Sequence, residues 1–291
     1  MKKKLSSILL VLILLAGAAI MIYPSFSDYW NSFHQSQAIA NYSESVSNLN
    51  EEEYERLWLA ACEYNVKMAG KSIPFRLSDA EWEEYNSLLD VSGNGIMGYI
   101  EIPKINVSLP IYHGTSDAVL QVAAGHIESS SLPVGGTSTH CIISGHRGLP
   151  SAKLFTDLDQ MSEGDIFQLK ILNETLTYEV DQIRIVLPSE LDTLGIVQGQ
   201  DHCTLVTCTP YGINSHRLLI RGKRIANPQA AAHVTADAVR IDPVLVAPAA
   251  AAPMLLALTI WLIVNPGGKK KKKKKKGKRS KKPGHNDENS T

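Results

Sequence analysis

The sequence predicts a mainly β domain, a closed barrel or sandwich, preceded by helices and set between two apolar runs. Three observations carry this reading. From Gly98 onward the chain breaks into short stretches with the two-residue alternation of extended backbone, and turn residues (Gly135-Gly136, Gly164-Asp165, Pro210 to Asn214) separate them. Uncharged runs at 5–23 and 244–264 are each long enough to cross a membrane. Many short strands with few helices among them indicate a barrel or sandwich.

The N-terminal run, Leu5 to Tyr23, follows Lys2, Lys3 and Lys4. It has the ~17–25 residues of a span rather than the ~7–15 of a signal core. It runs into Met21-Ile22-Tyr23-Pro24 with no small-x-small site at its end, although Ala16-Gly17-Ala18 inside it has that form. A retained span is expected. Residues 26–48, with Phe26, Tyr29, Trp30 and Phe33 at helical spacing, read as a helix rising from it. A second helix opens after Asn50 with Glu51, Glu52 and Glu53, acids that suit the positive end of the helix dipole, and stops at Gly70. Leu57, Trp58, Ala61 and Cys62 share one side of it, with Cys62 a buried small apolar residue. Ser78 with Glu81 forms a capping box that starts a third, short helix, its inner face Trp82, Tyr85 and Leu89.

Strands are expected at 99–102, 139–143, 167–171, 176–180, 204–209 and 216–221. Ile183-Arg184-Ile185 continues the fourth out of phase with Leu176, Tyr178 and Val180, which predicts a bulge or kink.

The formal charge of zero is a sum of unlike parts. Residues 1–23 carry three lysines and no acid, and 266–291 carries 12 basic residues against two acidic ones. The stretch between keeps 14 basic and 27 acidic residues. A nucleic-acid binder concentrates positive charge on its fold, so nucleic acid is not expected as a partner. Positive flanks stay cytoplasmic. With Lys2–Lys4 and the block Lys269 to Lys276 both inside, the acidic middle faces outward, and the lysine block suits anionic membrane lipid. Pro248 and Pro253 weaken the second span without forbidding it. Four cysteines on the outer side (Cys62, Cys141, Cys203, Cys208) could hold two disulfides. Cys203 and Cys208 cannot pair along one strand, since five residues separate them by ~16 Å and a disulfide needs Cα atoms within ~7 Å.

Three segments carry candidate chemistry: Ile143-Ser144-Gly145-His146-Arg147-Gly148, Thr204 to Pro210 with Cys208, and Asn214-Ser215-His216-Arg217. If 204–209 and 216–221 are antiparallel neighbours, Cys208 and Arg217 face each other across one hairpin with Cβ atoms ~5 Å apart. The thiolate is the reactive form of cysteine, and a neighbouring cation favours it. A guanidinium does not give up its proton, so Arg217 is a fixed charge that could hold an oxyanion, and His146 could move protons. Each residue alone also suits a bland role: free cysteine is among the most buried residue types. A non-catalytic module that binds a partner through the acidic domain stays open on residues alone.

Thr204-Leu205-Val206-Thr207-Cys208-Thr209-Pro210, with Arg217 nine residues after the cysteine, resembles the sortase signature, and Ser144-Gly145-His146 sits where that family has its histidine. Gly98 to Ile105, Leu109 to Thr115, Gly145 to Pro150 and Pro210 to Asn214 are similar to class C, pilus-assembling sortases, with the likeness dense over about 85–225. The resemblance implies an eight-stranded sortase β-barrel at the Gram-positive cell surface, with Cys208 as nucleophile, His146 as acid/base and Arg217 as anion stabiliser. It implies cleavage after Thr in an LPxTG-like signal, a thioacyl intermediate, and release by a lysine amine of a pilin subunit. No cofactor or metal is expected; calcium would suit an acidic outer domain, but no ligand loop is readable. A wall-anchoring sortase that uses a peptidoglycan amine is the alternative within the same chemistry. The class usually carries a lid with Asp-Pro-aromatic over the cysteine. Here Ser72-Ile73-Pro74-Phe75 keeps Pro74 and Phe75 but has Ile73 in place of the Asp, which predicts a loosely held lid.

The expected layout is a cytoplasmic stub and span at 1–23, a helical region with the lid at 24–92, and the barrel at 93–227. A linker at 228–243, the second span at 244–264 and a polybasic cytoplasmic tail at 265–291 follow. His216, adjacent to Arg217, should point to the opposite strand face. The residues His140, Cys141, His202 and Cys203 lack zinc-type spacing, and neighbours on a strand face opposite ways. His113 and His126 are expected to be structural. Leu132-Pro133-Val134-Gly135-Gly136 is not an LPxTG signal.

Overall fold

A computed structural model describes residues 2–69, 77–190 and 192–227, together with 257 and 260. The expected lid residues Pro74 and Phe75, the second span, the linker and the polybasic tail lie outside the described residues, as far as 257 and 260 aside. The chain divides into two compact units. One, Met1–Ala18 with Val246–Thr291, contributes the first part of helix α1; the other, Ala19–Leu245, holds the barrel.

Helix α1 (Lys2–Ser47) is one continuous helix of 46 residues that contains Pro24. It is long and apolar enough to cross a membrane. Its far end grips the barrel through Tyr42, which is 1% exposed. The Tyr42 hydroxyl donates to Met97 O (3.0 Å) and accepts from Leu172 N (2.8 Å). Helix α2 (Glu51–Met68) begins with an Asn50 capping box whose other half is Glu53. It buries Ala61, Tyr64, Asn65 and Met68. Asn65 bonds both polar groups of Leu132, donating to its carbonyl (3.0 Å) and accepting from its N–H (2.7 Å). Cys62 departs from expectation: it packs on the core from the edge of the buried stripe and stays half-buried.

Helix α3 (Asp79–Ser87) has the expected Ser78–Glu81 capping box. Tyr85 is fully buried, whereas Trp82 is 41% exposed, a correction to the expected inner face. The Trp82 ring is tilted by 37° to that of Tyr85, with 5.6 Å between centroids. Leu89 is buried but lies past the helix end, at positive φ.

Eight strands close the barrel: β1 (Ile96–Ile102), β2 (Val107–His113), β3 (Ala124–His126), β4 (Thr139–Ser144), β5 (Ile166–Ile171), β6 (Glu174–Val186), β7 (Asp201–Thr209) and β8 (His216–Ile225). Their order is β1-β2-β3-β4-β7-β8-β6-β5. The β2–β3 and β4–β7 pairs are parallel and the remaining pairs antiparallel. The bulge expected after Val180 is present, as a register shift between Val180 and Gln182 opposite β8. Alternation fills the interior with Ile100, Ile143, Phe167, Leu169, Tyr178, Leu205 and Ile220, all fully buried. Closure leaves those strands no unpaired edge to satisfy.

Candidate active site

Strand β7 lies between β4, parallel to it, and β8, antiparallel to it. Side chains alternate along it, so Cys203 and Leu205 enter the core while Val206 and Cys208 share the outer face. Cys208 and Arg217 are register partners across the β7–β8 hairpin. On the other flank Ser144 pairs with Val206, and Gly145 N donates to Val206 O at 3.0 Å. The bond from Gly145 carries the attachment one residue past the end of β4, to the residue before His146. Arg217 thus stands opposite Cys208 on one flank, and on the other the backbone that leads into His146 is bonded to the strand that carries Cys208.

The backbone under His146 is held closely. Thr207 Oγ1 donates to Gly145 O (2.8 Å), and Phe155 N donates to His146 O (3.1 Å). A side chain at 145 has no room, because a Cβ there would lie 2.6 Å from the buried Phe155 ring. The next residue, Arg147, reaches back to the β7 end. Its Nη1 donates to Thr209 Oγ1 (3.3 Å) and its Nη2 pairs with Asp159. The loops that follow β4 and β7 are thereby fastened together.

Arg217 directs Nη1 to the carbonyls of Asn214 (3.3 Å) and His216 (3.2 Å). Among the described residues it makes no ion pair. His216 takes the other strand face, opposite Thr209, and its Nδ1 bonds the Ser215 hydroxyl (2.9 Å).

A second apolar cluster, separate from the barrel interior, covers the same outer face. Ile142, Val206 and Leu219 come from β4, β7 and β8, and Leu194 from the connection between β6 and β7; Ile127 and Val186 border them. Val206 faces Leu219 one step along the sheet from the Cys208–Arg217 pair, and Val186 faces Arg217. The cluster is buried, with Leu194 from the β6–β7 connection packed on it, and it anchors that connection to the sheet beside Cys208. Sequence reading missed it, because β4 and β7 are apolar on both faces and show no alternation to mark a second apolar side.

The sortase-domain family model matches residues 100–225. A crystal structure of sortase C1 from Streptococcus agalactiae is 53% identical, with a TM-score of 0.65, over 66% of this chain and 100% of that one. The chain belongs to the sortase family, whose members are cysteine transpeptidases. Sortase C of Streptococcus pneumoniae is 46% identical, with a TM-score of 0.60, over 66% of this sortase and 97% of the solved chain. Sortase D of Bacillus subtilis is 30% identical over 131 residues, 44% of this chain, which spans 63% of that relative's length. The class C likeness read from the motifs is therefore matched by the solved neighbours.

Three further histidines, His113, His126 and His140, hold structure. His126 Nδ1 meets the Tyr85 hydroxyl (2.8 Å) and its Nε2 the Ser131 carbonyl (2.8 Å). His113 bridges Gly95 O (3.0 Å) and Leu88 O (2.7 Å). His140 Nδ1–H donates to Gly195 O (3.0 Å), so its Nε2 accepts from Thr204 Oγ1 (2.7 Å), which fixes the β6–β7 connection to the sheet. Burial lowers the His140 pKa to about 4. A histidine depressed this way adds stability above its unfolded pKa of ~6.5 and loses it as pH falls toward 4. Acidification from pH 7 to pH 5 should then cost about 2 kcal/mol through His140. Urea melts at both pH values check this, and His140→Gln should flatten the difference; an equal pH effect in that variant would refute the assignment.

Proposed function

We propose that this sortase joins pilin subunits on the outer side of the membrane. Cys208 Sγ attacks the Thr carbonyl of an LPxTG-like sorting signal. His146 gives a proton to the departing Gly amine, and a thioacyl enzyme remains. His146 then takes a proton from an incoming pilin lysine amine, which attacks the thioester and frees Cys208. Arg217 steadies the oxyanion of both tetrahedral intermediates, where a fixed positive donor matters most.

The observation that supports this reading is that Cys208 and Arg217 are register partners on one outer face, while the backbone beside His146 is bonded to the Cys208 strand. The pilin acceptor draws support from the close likeness to sortases C, one of which is described for its pilin substrate specificity. Helix α1 supplies a tether, and the basic ends fit a topology with both termini cytoplasmic. Pro74 and Phe75 would cover the site as a lid.

The test incubates the full chain in detergent with an LPxTG peptide and no amine. A peptide-acyl adduct on Cys208 is expected by mass spectrometry, discharged faster by a pilin subunit than by a peptidoglycan-type amine. No adduct would overturn the chemistry; preferential discharge by the peptidoglycan-type amine would leave the chemistry and overturn the pilin acceptor.

A further inference from the structure

Cys141 on β4 and Cys203 on β7 are register partners. Both turn into the barrel, where they are 1% and 0% exposed, and both are free thiols. The mechanism proposed for Cys208 uses neither. Directly paired strands place Cα atoms about 4.8 Å apart, inside the ~4.4–6.8 Å that a disulfide spans. His126 lies on the adjacent strand β3, where it pairs with Ile143, two residues along β4 from Cys141.

We propose that Cys141 and Cys203 are an oxidisable pair that closes to a disulfide inside the barrel, stapling β4 to β7. Each lies five residues before a residue of the candidate site, Cys141 before His146 and Cys203 before Cys208. The staple would therefore fix the spacing of the two strands from which histidine and nucleophile project. A protein displayed outside the reducing cytoplasm meets the conditions in which disulfides persist.

The reaction needs an oxidant small enough to enter when the barrel opens locally, and a peroxide is of that class. Cys141 is the attacking sulfur. Burial opposes its charge, but hydrogen bonds from Cys203 and His126 outweigh that and lower its pKa, whereas burial holds Cys203 well above the usual range. The Cys141 thiolate attacks one peroxide oxygen, the O–O bond breaks, and the hydroxide released takes a proton to become water. The Cys203 sulfur then attacks the sulfenic sulfur of Cys141 and expels its oxygen, which leaves as a second water carrying the Cys203 proton. One peroxide is reduced and one dithiol oxidised.

The inference is independent of the catalytic reading, and its test does not measure transpeptidation. The full chain in detergent, first reduced, is exposed to hydrogen peroxide, then unfolded in guanidinium with iodoacetamide and no reductant. Peptide mapping should recover Cys141 and Cys203 in one cross-linked pair, lighter than the two thiol peptides by two hydrogens, with Cys62 alkylated. The link should persist in Cys208→Ala and vanish in Cys203→Ser, and the oxidised chain should melt at a higher Tm than the reduced one. Recovery of Cys141 and Cys203 separately alkylated or over-oxidised, or linked to Cys62 or Cys208 instead, would overturn it. If Cys203→Ser does not fold, the map of the unaltered chain decides alone.

Discussion

Cys208→Ala is expected to lower peptide–amine joining by about four orders of magnitude or more, the scale seen when a covalent nucleophile is removed from a preorganised site. The fold should survive the change. Cys208 is only half-buried near the end of β7, and it is a member of neither apolar cluster. Thermal melting should shift little, while the acyl adduct disappears. A variant that still joined a sorting-signal peptide to an amine at a tenth of the unaltered rate would remove Cys208 from the mechanism.

Arg217→Ala should reduce the rate of acyl-adduct formation by about 10²–10³, which is ~2.7–4 kcal/mol of transition-state stabilisation. The loss should appear in the chemical step more than in peptide affinity, since the charge is matched to an oxyanion absent from the bound peptide. Arg217→Lys should recover only part of it. The guanidinium is held in place by the Asn214 and His216 carbonyls, and a lysine ammonium has no planar fork to bond those carbonyls and an oxyanion in the same way. Single-turnover rates with an LPxTG peptide separate the outcomes. Rates within threefold of the unaltered enzyme in Arg217→Ala would exclude the role.

Features written in local spacing were legible in the sequence. The acidic helix start after Asn50, the capping box at Ser78, six of the eight strands and the bulge after Val180 each depend on residues within a few positions of one another. Strand β2 escaped notice because Pro110 interrupts it, a residue that argues against strand unless its missing N–H faces no ladder partner. Strand β3 has three residues, one of them Gly125, where a Cβ would lie 2.3 Å from the Gly114 carbonyl. Such a strand is defined by what presses on it, not by its own propensity. The Cys208–Arg217 pair was readable as a hairpin, because nine residues and one turn separate them. His146 was not. Its place depends on a parallel pairing between segments about 60 residues apart, and local periodicity carries no information on which strands adjoin. The outer apolar patch was hidden for the same reason: its members come from four elements and meet only in the closed sheet.

The barrel order has a bearing on how the chain is made. Strand β8, the last of the barrel strands to leave the ribosome, is not added at the rim but inserts between β6 and β7. Until residues 216–225 arrive, β6 and β7 have a gap between them, Arg217 is missing from the side of Cys208, and the outer patch lacks Leu219. A nascent chain stalled before that point carries the nucleophile without the group that would make it productive. The Cys208–Arg217 pairing is thereby tied to synthesis of the last strand of the barrel.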